Sequence, residues 1–205
     1  MEAEEFSIAA SFSADDYFIN IVRRAIRNKQ NIMIEGPNQG RVIVLPKDGE
    51  YFADVDNMEF FCKCHSSEFR VTVFKAKNVQ EYKTGVGRNI DELTWTAGFY
   101  ASDGRLIKGC QWDDVIELSR WPNFTRLPMT QNSMRIASLM VKHTTSIEHT
   151  ILVLKLKREE AYQFYSAAYC AGLVTAVNRK ADKPVLRPHR NNALLGLLLD
   201  KIASI

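Results

Sequence analysis

The segment Cys62-Lys63-Cys64-His65 groups residue types that commonly bind zinc. Thiolate sulfur and imidazole nitrogen suit Zn²⁺, and a structural zinc site usually combines two paired sets of ligands. The chain has no further CxxC or HxxxH pair, so a metal site at Cys62, Cys64 and His65 would need distant residues to complete it. The alternative, which we expect, is that the thiols are buried or half-exposed and that the protein holds no cofactor.

The segment from Gly36 to Arg41, GPNQGR, has the glycines of a phosphate-binding loop without its spacing. Only three residues separate Gly36 from Gly40, and Arg41 stands where such a loop has lysine. The residues after Arg41 are β-branched, whereas a phosphate loop leads into a helix. We therefore predict a β-hairpin with a tight turn.

No group of residues has the arrangement of a known catalytic site. None of the serines lies in a G-x-S-x-G turn, and no cysteine has a recognisable protease context. The adjacent pairs Asp113-Asp114 and Glu159-Glu160 carry side chains that diverge, which makes them poor acid–base partners. We therefore expect a protein that is not an enzyme.

The patterns of apolar and turn residues predict an α+β fold. We expect a helix from Ser13 followed by the hairpin, strands near Tyr51 and from Phe69, and a helix that begins at a capping motif, Asn89 to Glu92. The remaining elements are a helix from Asp56 to about Cys62 and a strand from Val115 to Leu118. The prolines of WPNFTRLP then place a boundary between a mixed α+β domain with hairpins, residues 1–128, and a second domain, residues 129–205.

The predicted first helix carries a cluster of arginines near its end. Arg23, Arg24, Arg27 and Lys29 follow an acidic first turn that contains Asp15 and Asp16. This arrangement of charges suits the helix dipole. The cluster therefore needs no functional explanation from the sequence alone.

Residues 133–178 contain three helical blocks followed by a strand. The blocks run over 133–142, 146–153 and 158–171, although the second is rich in β-prone residues and a strand there stays open. The order of these elements resembles the winged helix-turn-helix superfamily. The resemblance implies that the third block corresponds to the helix that reads DNA in that superfamily.

The third block is nevertheless a poor DNA reader, because it contains no basic residue after Arg158. Glu159 and Glu160 lie in its first turn and would repel phosphate. Helical spacing places the two glutamates toward solvent together with Gln163, Ser166, Ala167 and Cys170, and the aromatic residues toward the core. An acidic face of small residues favours a protein partner, so we expect Glu159, Glu160, Gln163 and Ser166 to form a protein-binding surface.

Two basic segments suggest other ligands. A wing-like segment after the third block could contact a phosphate backbone, or it could be a solvated loop; its cations are Arg179, Lys180, Lys183, Arg187 and Arg190. Near the predicted boundary, Arg120, Trp121 and Arg126 could bind a small anionic ligand, or the aromatic residues could plug the seam between the domains.

The distribution of charge and apolar residues limits the function further. Residues 1–60 carry 6 Lys/Arg against 11 Asp/Glu, whereas residues 129–205 carry 11 against 5. There is no long apolar run and the first residues are acidic, so we expect a cytoplasmic protein without membrane insertion. Our leading expectation is a regulatory or adaptor protein with a protein partner or a homo-oligomeric assembly. The alternatives are a DNA-binding transcriptional regulator and a nucleotide sensor that uses the seam.

Overall fold

The computed structural model describes residues 11–75 and 85–177, and its mixture of helices and strands confirms the α+β prediction. The described α-helices are α1 (Phe18–Asn28), α2 (Met58–Lys63), α3 (Ile90–Ser102), α4 (Ser133–Lys142), α5 (Ile147–Leu154) and α6 (Arg158–Cys170). The described strands are β1 (Ser11–Phe12), β2 (Ile32–Glu35), β3 (Arg41–Leu45), β4 (Glu50–Asp54), β5 (Arg70–Val73), β6 (Arg88–Asn89), β7 (Leu106–Ile107), β8 (Val115–Leu118), β9 (Thr145–Ser146) and β10 (Val174–Ala176).

An antiparallel sheet of five strands, in the order β5-β2-β3-β4-β6, supports the N-terminal half. The predicted hairpin is confirmed: β2 pairs with β3, and the N–H of Gly36 donates to the carbonyl of Gly40 at 2.9 Å. The helix α1 buries Phe18, Val22 and Ala25. This leaves the charged side of α1 exposed.

The helix α3 packs against three other helices, α1, α2 and α6. It begins where the sequence predicts, because the side chain of Asn89 accepts a hydrogen bond from the Asp91 N–H at 2.8 Å. It ends at Asp103, which is left-handed at φ 46°. A β-carbon on Gly98 would lie 2.7 Å from the β-carbon of Cys170, so glycine is what allows α3 and α6 to approach this closely.

Strand pairing crosses the boundary that the sequence suggests at residue 128. A second sheet has the order β10-β8-β9, so β8, which precedes the boundary, lies between two strands that follow it. One hydrophobic core likewise contains Phe12, Trp95 and Phe164. The division at residue 128 stays a prediction, and the contacts show extensive packing between its two sides.

The three predicted helical blocks all form helices, α4, α5 and α6. The open question about the second block is thereby answered: the Ser146 hydroxyl accepts from the His149 N–H at 3.1 Å and begins α5 despite its β-prone composition. The strand β10 after α6 pairs with β8, which lies before these helices in the chain. The winged-helix resemblance stays a prediction.

Among the helices of the described residues, none combines the length and the apolar character that crossing a bilayer requires.

Candidate anion-binding groove

The exposed side of α1 forms one wall of a groove of about 630 Å³. Arg23, Arg24 and Arg27 line this wall, and Lys108 lines it from the segment after β7. We call this site, defined by its three arginines and Lys108, the cationic groove.

Local structure explains why these cations converge. Arg23 and Arg27 are four residues apart and therefore share a side of α1, with Arg24 beside them. Lys108 is held near α1 because its N–H donates to the carbonyl of Phe12 at 2.8 Å. The parallel pairing of β1 with β7 thus places a fourth cation beside α1.

Among the described residues, the cations of the groove have no carboxylate partners. Within the described ranges, no carboxylate oxygen lies within 4.0 Å of the charged nitrogens of Arg23, Arg24, Arg27 or Lys108. Lys63 shows the opposite situation, because its amine lies 2.8 Å from Glu59 and 3.0 Å from Asp103, and these hydrogen bonds raise its pKa. Several like charges near one cavity repel one another and are stabilised by an anion between them.

The described residues that line the groove carry a net positive charge. Asp15 is the acidic residue that lines it, and its side chain is exposed. The carbonyl of Asp15 accepts from the amide of Asn20 at 3.0 Å and from the hydroxyl of Ser66 at 3.2 Å. Among the described lining residues, one carboxylate therefore accompanies three guanidinium groups and one ammonium group.

The predicted ligand site near the domain boundary has a different electrostatic character. Arg120 forms an ion pair with Asp91, and Arg126 lies 3.6 Å from Glu92. Arg120 and Trp121 line a small cavity of about 190 Å³, and Arg126 is not among its lining residues. Since the first turn of α3 supplies a carboxylate to each arginine, these cations are less available to an external anion than those of the cationic groove.

Trp121 and Phe124, the aromatic residues between Arg120 and Arg126, differ in their exposure. Trp121 is 51% exposed and contacts Phe124 edge-on at 5.9 Å between ring centroids. Phe124 in turn packs against the buried Trp95 at 6.1 Å. Phe124 therefore packs against the core, while Trp121 keeps an open face, and a plug between two domains stays a prediction.

The predicted protein-binding face of α6 is largely covered within the chain. Ser166 is fully buried, where its hydroxyl accepts from the Ile107 N–H at 3.1 Å and donates to the Arg105 carbonyl at 3.2 Å. Ala167 and Cys170 are also buried. The prediction that these three side chains face solvent was wrong, because α3 packs against that side of α6.

Other residues of α6 also depart from the predicted orientation. Gln163 donates to the Phe99 carbonyl at 3.2 Å, and Glu160 accepts from the amide of Asn132 at 2.8 Å. Glu159 stays exposed. Tyr169, which the pattern assigned to the core, is 38% exposed and lines the cationic groove.

The metal candidate has other structural roles in the fold. Cys62 is fully buried in α2, and burial raises the pKa of its thiol. The thiol of Cys64 donates to the Phe60 carbonyl at 3.3 Å, and the His65 ring accepts from the Ser67 N–H at 3.3 Å. No three His, Cys, Asp or Glu side chains in the described parts of the chain are placed to hold a metal ion. The expectation of buried or half-exposed thiols is confirmed.

The sequence shows the arginines of the cationic groove, but it does not indicate which other residues lie beside them. The sequence predicts one helix from Ser13 with Asp15 and Asp16 in its first turn, whereas α1 begins at Phe18 and has no acidic residue in its first turn. Nothing local to the arginine cluster indicates Lys108 or Tyr169. The wing-like cations Arg179, Lys180, Lys183, Arg187 and Arg190 lie outside the described residues.

Comparison of the chain with protein-family models, with characterised proteins and with solved structures finds no match in any of the three.

Proposed function

We propose that the protein is a non-enzymatic regulatory protein that binds a phosphate-bearing ligand in the cationic groove. The observation that carries this proposal is the convergence on one cavity of four cations that have no carboxylate partner among residues 11–75 and 85–177. The seam at Arg120 and Arg126 gives less support to the same function, because those arginines are already paired.

The residue types and the dimensions both suit a phosphate ligand. A guanidinium group can donate two parallel hydrogen bonds to one phosphate, which makes arginine a frequent phosphate-binding residue. The groove's volume of about 630 Å³ lies within the range of small-ligand sites. Arg24 and Arg27 are exposed, so a ligand can reach them without displacing a core residue.

Thermal unfolding and calorimetric titration with tripolyphosphate test this proposal. A ligand that binds only the folded state at 100 times its dissociation constant stabilises that state by about 2.7 kcal/mol. We expect tripolyphosphate to raise Tm in a saturable manner, and the double variant Arg24→Gln/Arg27→Gln to lose most of this rise.

The double variant Arg120→Gln/Arg126→Gln is the matched control, since it makes the same substitutions and the same change of net charge at paired arginines. Equal loss in both double variants would show that net charge alone attracts the anion. Absence of any tripolyphosphate binding to the unmodified protein would overturn the proposal.

A second candidate function, protein binding by an adaptor, is favoured by an apolar strip on α4. Met134 and Val141 are two turns apart and are 51% and 43% exposed. Met134 also lines a shallow groove of about 440 Å³ together with Leu139, Leu154 and Lys142. Apolar contacts beside a cation suit an amphipathic helix that carries glutamates beside its leucines.

Fluorescence anisotropy with a labelled amphipathic peptide tests the second candidate. A peptide with leucines at helical spacing and flanking glutamates should bind, and Met134→Ser/Val141→Ser should weaken it. Binding that is as tight for a peptide with lysines in place of the glutamates, or that the double variant leaves unchanged, would refute this role for the strip.

A further inference from the structure

An exposed aromatic ring forms part of the wall of the cationic groove. Tyr169 lies in the last turn of α6, next to the buried residues Ala168 and Cys170, yet its own side chain is 38% exposed. Behind it lies the buried Tyr165, with 6.2 Å between the ring centroids. The groove therefore offers an aromatic surface as well as cations.

An arginine of the groove lies over this ring. The guanidinium carbon of Arg23 is 6.0 Å from the centroid of Tyr169, a distance at which a cation is attracted to an aromatic face. Guanidinium groups and tyrosine rings are both planar surfaces on which nucleobases stack. Arg23 and Tyr169 together provide such a surface at one side of the groove.

The phosphate-binding cations lie at a suitable separation from the stacking surface. Arg27 is one helical turn, about 6 Å, along α1 from Arg23. A ribose can span this distance, so a base at Tyr169 and phosphates near Arg24, Arg27 and Lys108 can be held at once. Inorganic phosphate alone would leave the aromatic wall unused.

We infer that the ligand of the cationic groove is a nucleotide, with its base against Tyr169 and Arg23 and its phosphates on Arg24, Arg27 and Lys108. This inference rests on the proposed function, because it assigns a ligand class to the same groove. The limited volume favours a mononucleotide over a nucleic-acid strand, which would need cations along an extended path.

Calorimetric titrations with ATP and with tripolyphosphate test the inference. The two probes share the phosphate chain and differ in the nucleoside. A stacked base contributes about tenfold or more to affinity. We expect ATP to bind at least about tenfold more tightly than tripolyphosphate, and Tyr169→Leu to weaken ATP binding far more than tripolyphosphate binding, so that this difference is lost.

The variant Tyr169→Phe is the matched control, since it keeps the ring and removes the hydroxyl, and we expect it to bind ATP like the unmodified protein. Because Tyr169 is partly exposed, unchanged thermal unfolding of both variants without ligand checks that they fold.

Each other outcome is decisive for a different statement. Equal affinities for ATP and tripolyphosphate, unaffected by Tyr169→Leu, would overturn the nucleotide inference and leave the proposed phosphate binding standing. Binding of neither probe would overturn the proposed function itself. Markedly tighter binding of a single-stranded oligonucleotide than of ATP would overturn the assignment to a mononucleotide.

Discussion

Replacement of Ser166 by alanine should destabilise the protein although serine to alanine is a small change. The hydroxyl of Ser166 is the hydrogen-bond acceptor of the Ile107 N–H at 3.1 Å, in the buried strand β7. Alanine removes that acceptor and leaves the Ile107 N–H without a partner in the core. The Arg105 carbonyl keeps the Ser102 hydroxyl as a donor, so the main loss is at Ile107.

The size of the effect follows from two opposing contributions. An unsatisfied buried donor costs about 1–3 kcal/mol. Alanine is the better helix former, by at most about 0.7 kcal/mol. We therefore expect Ser166→Ala to lower the free energy of unfolding by about 1–2 kcal/mol, which corresponds to a fall in Tm of roughly 2–8 °C for a chain of this length.

Urea denaturation followed by tryptophan fluorescence and circular dichroism measures this difference. Ser138→Ala is the matched control, because Ser138 also lies in a helix but is half-exposed and makes no side-chain hydrogen bond within the described part of the chain. It should change the free energy of unfolding by no more than about 0.5 kcal/mol. Equal effects of the two substitutions would refute the role of Ser166 as a hydrogen-bond acceptor in the core. They would support the prediction from the sequence that its side chain faces solvent.

Three other substitutions or titrations test the packing. Gly98→Ala places a β-carbon against Cys170. Overpacking should lower the free energy of unfolding by about 1–3 kcal/mol, which exceeds the gain of about 1 kcal/mol in helix propensity. Denaturation that shows a more stable variant would contradict the close approach of α3 and α6. Burial raises the pKa of Tyr51 to about 12, so the neutral phenol is favoured in the folded state. Stability should therefore fall as pH rises from about 10 toward 12, and Tyr51→Phe should remove up to roughly 2–3 kcal/mol of that fall. Identical pH profiles of stability for the two proteins would contradict the burial of the Tyr51 hydroxyl. Burial also raises the pKa of the Cys170 thiol to about 12 and raises the pKa of the Cys62 thiol. A chromogenic disulfide reagent at pH 8 should therefore modify both cysteines only after denaturant is added. Rapid labelling of either cysteine in the folded protein, identified by peptide mass mapping, would show that its side chain is accessible.

Local elements of this fold are predictable from the sequence because short-range chemistry determines them. The Asn89 side chain caps α3, and the GPNQG turn joins β2 to β3. The strand at 115–118 and the helix at 133–142 also begin and end where the apolar pattern predicts. In each case the determining residues are close together in the chain.

The orientation of α6 is not predictable in this way, because two of its sides are apolar or small. Helical spacing predicts that the aromatic side faces the core and that the side with Ser166 and Cys170 faces solvent. Gly98 on α3 is the residue that permits the second contact, and nothing local to α6 indicates it. The same limit applies to the cationic groove, since the pairing of β1 with β7 brings Lys108 to α1 from a distant part of the chain.

The middle position of β8 in its sheet has a consequence for synthesis of the chain. When β8 leaves the ribosome, β9 and β10 have not yet been made, so both of its backbone edges are unpaired. Unpaired strand edges are sites where nascent chains associate with one another. Premature termination between β8 and β9 should therefore yield a fragment that aggregates, while a pause at that point would prolong the interval in which chaperones are needed.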